Sequence, residues 1–557
     1  MQPSSPPLLR LSFSLAALLG ASAEWTTALP VPTRARAECN PAGTGSSRGC
    51  VVRLSFSSEG GQGEGAATAW ATYMPAHSGG WPHLEVTTRS AADEVAGRAL
   101  EQEAFAAGLL EGALTCSDTA AYWHNVYTAT APVSDKALRF IEEQDRFVRA
   151  EAQRLGPDED YWHAVGMVLA QFDGMLQGHN TFCPEQRMTA QDLLLLNLDG
   201  DLFDIMVAFP TPDRTSEMPP ALHSSRQGRG HFRPLRCSAL FKLLPDSSDI
   251  FFGHDTWDTY AAAGPRCFKT YTLPVRHGSH VRRHVNFFSS SPGYLSSVDD
   301  YYTIAGTSEL VVIETSLDVN NLALYRALTP STVPCWLRAM AANMLAHNPA
   351  DWAALFSRLH SGTYNNQWMV LDLGIFSSRG PVDGSFWVLE EIPGKIVSED
   401  MSHRLREDLY WASYNVAFFS EVREMMNESS SWAHDPRAEL FRQLHTNVTS
   451  IEGMQHVMGW NDYKNSNISK GDPRKAIMAR GDLAGSAAGG IDSKASSAGY
   501  YRSGMITFAR VGPTHDDLLP FCWSASPEDL PHRGQPDCFG FVWERLWPGR
   551  SEPLLFI

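Results

Sequence analysis

The residue of this sequence best suited to chemistry is a cysteine that directly follows a long basic linker. Residues 211–236 hold four prolines, five arginines and several serines and glycines, and Cys237 begins the strand-like segment after them. The linker is too polar to form a packed element, so we predict an exposed, protease-sensitive segment. If the chain is cut between Arg236 and Cys237, the thiol lies beside its own α-amino group, whose pKa of about 8 suits a general base. A long surface loop followed by a buried, unreactive cysteine is the alternative interpretation.

Six short segments after the linker follow one another in an order that is typical of one group of proteins. They are CSALFKLLP from Cys237, GHDTW from Gly253, YNNQWMVLD from Tyr364, WASYN from Trp411, DPRA from Asp435 and GGIDSK from Gly489. In these segments, and again over residues 513–536, the chain resembles the phospholipase B-like proteins. The resemblance extends from about Cys237 to the C-terminus, whereas the N-terminal part is similar to the family only in outline.

The resemblance implies an N-terminal-nucleophile hydrolase of the α+β class, a four-layer αββα sandwich with two β-sheets between helical layers. It also implies a precursor that cleaves itself, often with loss of linker residues. In that precursor the Cys237 thiol attacks the Arg236 carbonyl, and water opens the resulting thioester. The freed Cys237 can then attack an ester or an amide and carry the acyl group as a thioester. Fragments 24–210 and 237–557 are expected to stay associated as one αββα unit.

The resemblance also assigns roles to two residues of the GHDTW segment. His254 is expected to orient or polarise groups near the thiol, although a lone histidine would more often be a hydrogen-bonded core residue. Trp257 is expected to form a wall of the substrate pocket and to donate its indole N–H, with packing alone as the alternative.

Three more residues are carried over from the family in the same way. Thr315 is expected to contact the amine of the nucleophile or the substrate. Asn415 is a candidate oxyanion donor, because an amide N–H aimed at developing charge stabilises a tetrahedral intermediate. Arg437 would hold the surroundings of the new α-amino group or bind a phosphate or carboxylate, with a surface ion pair as the alternative. Arg236 departs from the small residue or histidine expected there, so the cut could be slow or assisted by a trypsin-like protease.

Two features of the sequence indicate the compartment, a leader and a set of glycosylation sequons. Residues 1–23 combine basic Arg10, an apolar stretch over 11–19 and small residues at 21–23, which is typical of a secretory signal peptide. Sequons for N-glycosylation occur at the following positions: Asn427, Asn447 and Asn467. We therefore predict a protein of the secreted or lysosome-like lumen.

The cysteine count fits an oxidising compartment. Nine cysteines cannot all pair within one chain, so at least one thiol stays free. Cys39 with Cys50, and Cys522 with Cys538, are close enough in sequence to be plausible bridges. The remaining pairing cannot be deduced from the sequence.

Charge and composition exclude several classes of partner and cofactor. The 557-residue chain is 43% hydrophobic and carries a net charge of −17, so phosphate backbones would repel it and nucleic-acid binding is not expected. Loss of residues 1–23 removes one further positive charge. Protonation of all 19 histidines would cancel this deficit, which predicts peripheral contact with anionic membranes at acid pH. Neither H-E-x-x-H nor C-x-x-C occurs, so the sequence does not support a metal site, and no cofactor is expected.

Hydrophobic patterning predicts stacked layers and not an alternating Rossmann arrangement. The N-terminal part, 24–210, is mixed and largely helical, with helices over 93–114, 134–155 and 161–176, the second capped by Ser134. Strands follow over 238–244, 249–253, 268–275, 301–319, 367–373 and 386–396. Helices return over 334–346, 352–360 and 401–424.

Together these features predict a hydrolase that removes acyl chains from a phospholipid or a related lipid. The same thioester chemistry suits an amidase acting on N-acyl lipids or small amides, and the sequence does not separate the two. A non-catalytic lipid-binding glycoprotein is the third possibility. It is disfavoured because Cys237, His254, Asn415 and Arg437 are retained together.

Overall fold

The computed structural model describes residues 33–39, 50–55, 68–89, 97–127, 132–211, 236–376 and 380–549. The predicted signal peptide and residues 212–235 of the predicted linker lie outside these ranges. Within the described part of the chain, no helix is long and apolar enough to cross a membrane.

The N-terminal part begins with strands and ends with helices. The strands are β1 (Thr33–Cys39), β2 (Cys50–Ser55), β3 (Ala69–Met74) and β4 (His83–Thr88). The helices are α1 (Gly97–Tyr127), α2 (Asp135–Leu155), α3 (Asp160–Phe182), α4 (Ala190–Asn197) and α5 (Asp199–Ala208). As predicted, Ser134 caps α2, where its hydroxyl accepts the N–H of Ala137 at 3.1 Å.

The C-terminal part contains the remaining described strands, most of them in its first half. They are β5 (Arg236–Leu243), β6 (Ile250–Thr259), β7 (Cys267–His277), β8 (His280–Ser290), β9 (Tyr301–Ala305), β10 (Leu310–Ser316), β11 (Asn366–Asp372), β12 (Phe386–Ile392), β13 (Lys395–Asp400), β14 (Tyr410–Ser413), β15 (Ala488–Ser497), β16 (Thr507–Val511) and β17 (Glu544–Leu546). The helices between them are α6 (Cys335–Leu345), α7 (Pro349–Phe356), α8 (Ser402–Asp408), α9 (Ser420–Met426), α10 (Pro436–Leu444), α11 (Ile451–Met458) and α12 (Ala498–Arg502).

The strands form two sheets, and the larger one contains strands from both parts of the chain. Its order is β13-β12-β11-β10-β9-β8-β7-β4-β3-β1-β2. The smaller sheet has the order β14-β5-β6-β15-β16-β17. The described strand pairs are antiparallel except for β4 with β7, which is parallel and joins the N-terminal strands to the C-terminal ones. Because backbone hydrogen bonds cross this junction, the two parts share one structure.

Aromatic side chains fill the space between the sheets, and helices cover other faces. The Phe241 ring on β5 lies 5.1 Å from that of Phe386 on β12, and Phe252 on β6 lies 6.3 Å from Tyr301 on β9. Helices α1 and α3 pack on strands of the large sheet, and α11 packs on β6 and β15 of the small one. The predicted α+β class is confirmed.

Helices α1 and α3 approach each other so closely that glycine is required at the contact. A Cβ atom on Gly108 would lie 1.8 Å from the carbonyl oxygen of Gln171, and one on Gly174 would lie 2.0 Å from that of Phe105. Both clashes involve backbone atoms, which cannot move aside as a side chain can.

Several predicted element bounds are wrong in ways that affect the site. The predicted helix over 401–424 is instead α8, β14 and α9, because Leu409 adopts a left-handed φ of 60° and β14 then pairs with β5. The predicted strand over 301–319 is two strands, β9 and β10, and the one over 386–396 is β12 with the start of β13. Strand β6 runs to Thr259, well beyond the predicted end at 253, and therefore contains His254 and Trp257.

The two proposed disulfides form, and a third was not foreseen. Cys39 pairs with Cys50, Cys522 with Cys538, and Cys116 of α1 with Cys183 at the end of α3. The prediction of an unpaired thiol is confirmed, since three cysteines are free and buried: Cys237, Cys267 and Cys335. The asparagines of the three sequons are all exposed on the surface: Asn427, Asn447 and Asn467.

Candidate active site

Cys237 lies at the start of β5, next to the middle strand pair of the small sheet. It stands opposite Thr256 of β6 and is 1% exposed. The preceding residue is different, because the Arg236 side chain is 36% exposed and its guanidinium pairs with Asp318 at 2.5 Å. The peptide bond proposed for cleavage therefore lies where the chain passes from the surface into the interior.

Asn415 holds the backbone N–H of Cys237. This residue follows β14, has a left-handed φ of 66°, and its Oδ1 accepts the Cys237 N–H at 3.1 Å. Its Nδ2 donates to the carbonyl oxygen of Ser316 at 2.8 Å. The amide N–H groups thus point at Ser316 in this structure, so the proposed oxyanion donor role stays a prediction.

Arg437 holds the carbonyl group of the same cysteine. Its Nη1 donates to the Cys237 oxygen at 2.6 Å, and its Nη2 donates to the Tyr414 carbonyl. The side chain is buried, so the alternative of a surface ion pair is wrong. Burial lowers the pKa of Arg437, while the nearby Asp435 carboxylate opposes that shift.

Trp257 and Thr315 complete this frame around the cysteine. The Trp257 ring lies 4.5 Å beneath the Arg437 guanidinium, and its indole N–H donates to the Ile477 carbonyl at 3.2 Å. The Thr315 hydroxyl lies 2.6 Å from that of Ser413 and accepts the Asn415 N–H at 3.3 Å. In this structure Thr315 therefore positions Asn415, and its contact with the amine of the nucleophile or with the substrate stays a prediction.

The thiol itself faces a histidine and a carboxylate. The ligand atoms of Cys237, His254 and Glu314 all lie within 4.8 Å of one another, and the three residues are buried. Burial raises the pKa of the Cys237 thiol well above its ordinary value, and the Glu314 carboxylate adds to this effect. Burial lowers the pKa of His254 and raises that of Glu314. These directions favour an uncharged thiol, imidazole and carboxylic acid side by side.

Lys494 supplies positive charge close to this group. Its Nζ donates to the Thr256 hydroxyl at 2.8 Å and to Asp492, and it lies 3.8 Å from the Asp299 carboxylate. Its ammonium lowers the pKa of the Cys237 thiol and of His254. For the thiol pKa the lysine opposes the larger effect of burial, and for the His254 pKa it acts in the same direction as burial.

Sequence reasoning missed Glu314 and Lys494 as members of the site. Glu314 lies in the predicted strand over 301–319, directly before Thr315, and Lys494 ends the GGIDSK segment. The available signal was a charged residue within a predicted strand or within a segment shared with the family. The distance to Cys237 needed the structure, because β10 and β15 belong to different sheets.

Comparisons with known proteins agree with one another. A family model described as Phospholipase B matches residues 69–546. Phospholipase B-like protein G of Dictyostelium discoideum is 32% identical, over 84% of this chain and 84% of its own length. Phospholipase B-like 1 of Rattus norvegicus is 33% identical, over 80% of this chain and 81% of its own length. Phospholipase B-like protein C of Dictyostelium discoideum is 32% identical, over 83% and 84% respectively.

Proposed function

Because the chain belongs to the phospholipase B family, we propose that it is a hydrolase that removes acyl chains from phospholipids through a thioester on Cys237. The observation that carries this proposal is that two side chains form hydrogen bonds with the backbone of Cys237. Asn415 accepts its N–H and Arg437 donates to its carbonyl oxygen, so the residue is fixed without use of its sulfur. The thiol is left next to His254 and Glu314.

Self-cleavage would come first, and it needs a base other than the α-amine, which is still part of the peptide bond. The neutral imidazole of His254 is suited to take the thiol proton. The sulfur attacks the Arg236 carbonyl, the bond from that carbon to the Cys237 nitrogen breaks, and the nitrogen gains a proton. Water then opens the thioester, which leaves a carboxylate on Arg236 and restores the thiol.

The freed α-amine would then serve as base in the acyl-transfer reaction. It remains beside the Asn415 oxygen that now accepts the Cys237 N–H at 3.1 Å. The amine takes the thiol proton, the sulfur attacks the ester carbonyl, and the alcohol leaves with that proton. Water hydrolyses the acyl thioester and releases the fatty acid.

The architecture supports the same proposal. Two sheets in aromatic contact, with helices packed on each, are the layers that an N-terminal-nucleophile hydrolase of the αββα type requires. Three disulfides agree with a secreted or lysosome-like lumen, since such bonds persist in oxidising compartments. We propose that location together with the enzyme.

The test is to trap the acyl-enzyme. Secreted protein is incubated at mildly acidic pH with phosphatidylcholine labelled in its acyl chains, and in parallel with a labelled N-acyl amide. We expect released fatty acid from the phospholipid and a Cys237 peptide heavier by one acyl group. The matched control is Cys335→Ala, which removes another buried free cysteine.

Each other outcome identifies a different function. Acylation of Cys237 by the amide alone would establish an amidase. Lipid binding that survives Cys237→Ala, without any acylation of the wild-type protein, would establish a non-catalytic lipid-binding glycoprotein.

A further inference from the structure

The group around the thiol has the composition of a zinc site. Sulfur, imidazole nitrogen and carboxylate oxygen are the atoms that bind Zn²⁺ in proteins, and open zinc sites use three protein ligands with one position left for water. Cys237, His254 and Glu314 offer one of each, within 4.8 Å of one another. Bonds of about 2.0 to 2.3 Å place tetrahedral ligands about 3.5 Å apart, so a contraction of little more than about 1 Å is needed.

Hydrogen bonding leaves the ligand atoms of His254 and Glu314 available, while the Cys237 sulfur faces the backbone N–H of Trp257. The ring of His254 lies near the Glu314 backbone, but neither ring nitrogen makes a well-aligned hydrogen bond with the protein. The Oε2 atom of Glu314 also has no partner, while its Oε1 accepts the Tyr364 hydroxyl at 3.1 Å. Buried polar atoms without partners are costly, and a bound ion is one of the arrangements that satisfies them. The Tyr364 hydroxyl shares its proton between Glu314 and the Val298 carbonyl, which it approaches to 2.5 Å, and a hydrogen bond of this kind orients a ligating carboxylate.

A second buried cysteine, Cys335, also lies beside a carboxylate, but that carboxylate already has ionic partners. The Cys335 sulfur lies 4.0 Å from Oε1 of Glu391, but that carboxylate already pairs with Arg338 at 2.9 Å and with His360 at 3.1 Å. The Glu391 carboxylate is therefore not open to a further cation. Cys335 is therefore a matched control.

Nearby charge does not exclude a cation. Lys494 approaches the site, but its ammonium is paired with Asp492 and lies 3.8 Å from Asp299. Asp300 adds a carboxyl group beside Glu314. Arg266 shares the Asp299 and Asp492 carboxylates with Lys494, so two buried cations and two carboxylates balance one another there.

We propose that Cys237, His254 and Glu314 bind one Zn²⁺ ion. On binding, the ion takes the places of the thiol proton and of the Glu314 carboxyl proton, and both protons leave to solvent. The metal then withdraws charge from the sulfur and lowers its reactivity toward a carbonyl, so zinc reversibly silences the nucleophile. This consequence rests on the proposed function, whereas zinc binding does not.

The test measures metal binding directly on the full secreted chain. The protein is stripped with a chelator, reloaded with Zn²⁺ and analysed for bound metal. Cobalt substitution then reports the ligands, because a cobalt–thiolate bond gives a near-ultraviolet charge-transfer band. We expect about one ion per chain, a cobalt–thiolate band in wild type and in Cys335→Ala, and no band in Cys237→Ser.

The variant Glu314→Gln distinguishes loss of metal binding from loss of the folded structure. Glutamine keeps the shape and can still accept the Tyr364 hydroxyl, and loss of the anionic ligand should weaken zinc binding by at least about tenfold. Wild-type affinity in Glu314→Gln, a cobalt–thiolate band that persists in Cys237→Ser, or no stoichiometric zinc in wild type overturns the proposal. Zinc binding in a protein that never acylates Cys237 would refute the proposed function and leave the metal site standing.

Discussion

At the residue scale, the site is organised around the backbone of one cysteine. Asn415 and Arg437 hold its N–H and its C=O, while the thiol faces His254 and Glu314. The family segments allowed Cys237, His254, Asn415 and Arg437 to be predicted as a set. The contacts of Asn415 could not be predicted, because they depend on a left-handed turn that places its oxygen toward β5.

Replacement of Asn415 by glycine tests this hold. Glycine adopts the left-handed conformation without strain, so the change removes only the side-chain contacts to Cys237 and Ser316. We expect self-cleavage to slow at least about tenfold and the free energy of unfolding to fall by about 1 to 3 kcal/mol. The measurements are the time course of fragment formation and chemical denaturation.

Lys470→Gly is the matched control, since exposed Lys470 also has a left-handed φ, of 51°. Its cleavage rate should equal that of wild type. A normal rate in Asn415→Gly would show that the hydrogen bond to Cys237 is dispensable.

At the element scale, caps and hydrophobic patterns in the sequence predicted those helices and strands that local interactions determine. The Ser134 cap and the apolar stripe of α2 were sufficient to place that helix. The segment 401–424 has helical periodicity, yet β14 forms within it because β5 lies alongside and supplies the partner strand. Pairing between distant segments overrides local propensity there, so this strand could not be predicted from one sequence.

The contact between α1 and α3 gives a prediction at this scale. In Gly174→Ala the new Cβ would meet the Phe105 carbonyl at 2.0 Å, so the helices must move apart. We expect a loss of about 1 to 3 kcal/mol or more, as overpacking produces. Gly166→Ala, in the same helix, meets nothing closer than 3.6 Å and should leave stability unchanged or raise it. Thermal unfolding of both variants measures the difference, and equal melting temperatures would contradict the close contact.

At the scale of the whole molecule, helix α5 ties the N-terminal part to the C-terminal part through buried carboxyl groups. Asp199 accepts the Tyr294 hydroxyl at 3.1 Å, and Asp204 accepts the Asn365 amide at 2.9 Å. Burial raises the pKa of Asp199 to about 6 and that of Asp204 to about 7. These contacts support the proposal that the fragments stay associated after cleavage.

These pKa values predict that the buried carboxyl groups of α5 stabilise the folded protein more strongly as the pH falls. Between the ordinary pKa of Asp204 and about 7, the folded chain holds a proton that the unfolded chain releases, so this contribution to stability grows as pH falls and is lost as pH rises through 7. Asp204→Asn should reduce the difference in unfolding free energy between pH 5 and pH 7.5 by about 2 kcal/mol. The exposed Asp158→Asn, which makes the same change of charge, should leave that difference as in wild type. An identical pH profile in Asp204→Asn would show that this carboxyl does not contribute.

Several histidines are buried, which lowers the positive charge that the protein can gain at acid pH for membrane contact. Burial lowers the pKa of His284 to about 3 and that of His445 to about 4, and it lowers the pKa of His254 as well. These pKa values keep His284 and His445 largely neutral at pH 5, so protonation at that pH adds fewer than 19 positive charges. Vesicle binding at acid pH remains a prediction, and co-sedimentation with anionic vesicles that is unchanged from pH 7 to pH 5 would contradict it.

The central claim is that Cys237 becomes an N-terminal nucleophile, and N-terminal sequencing with intact mass of the deglycosylated secreted protein tests it most directly. Wild type is compared with Cys237→Ala before and after incubation at mildly acidic pH. We predict a wild-type fragment that begins at Cys237 and a variant that stays whole at that bond. A wild-type protein with no chain beginning at Cys237, or a variant cleaved at the same bond, would contradict the account.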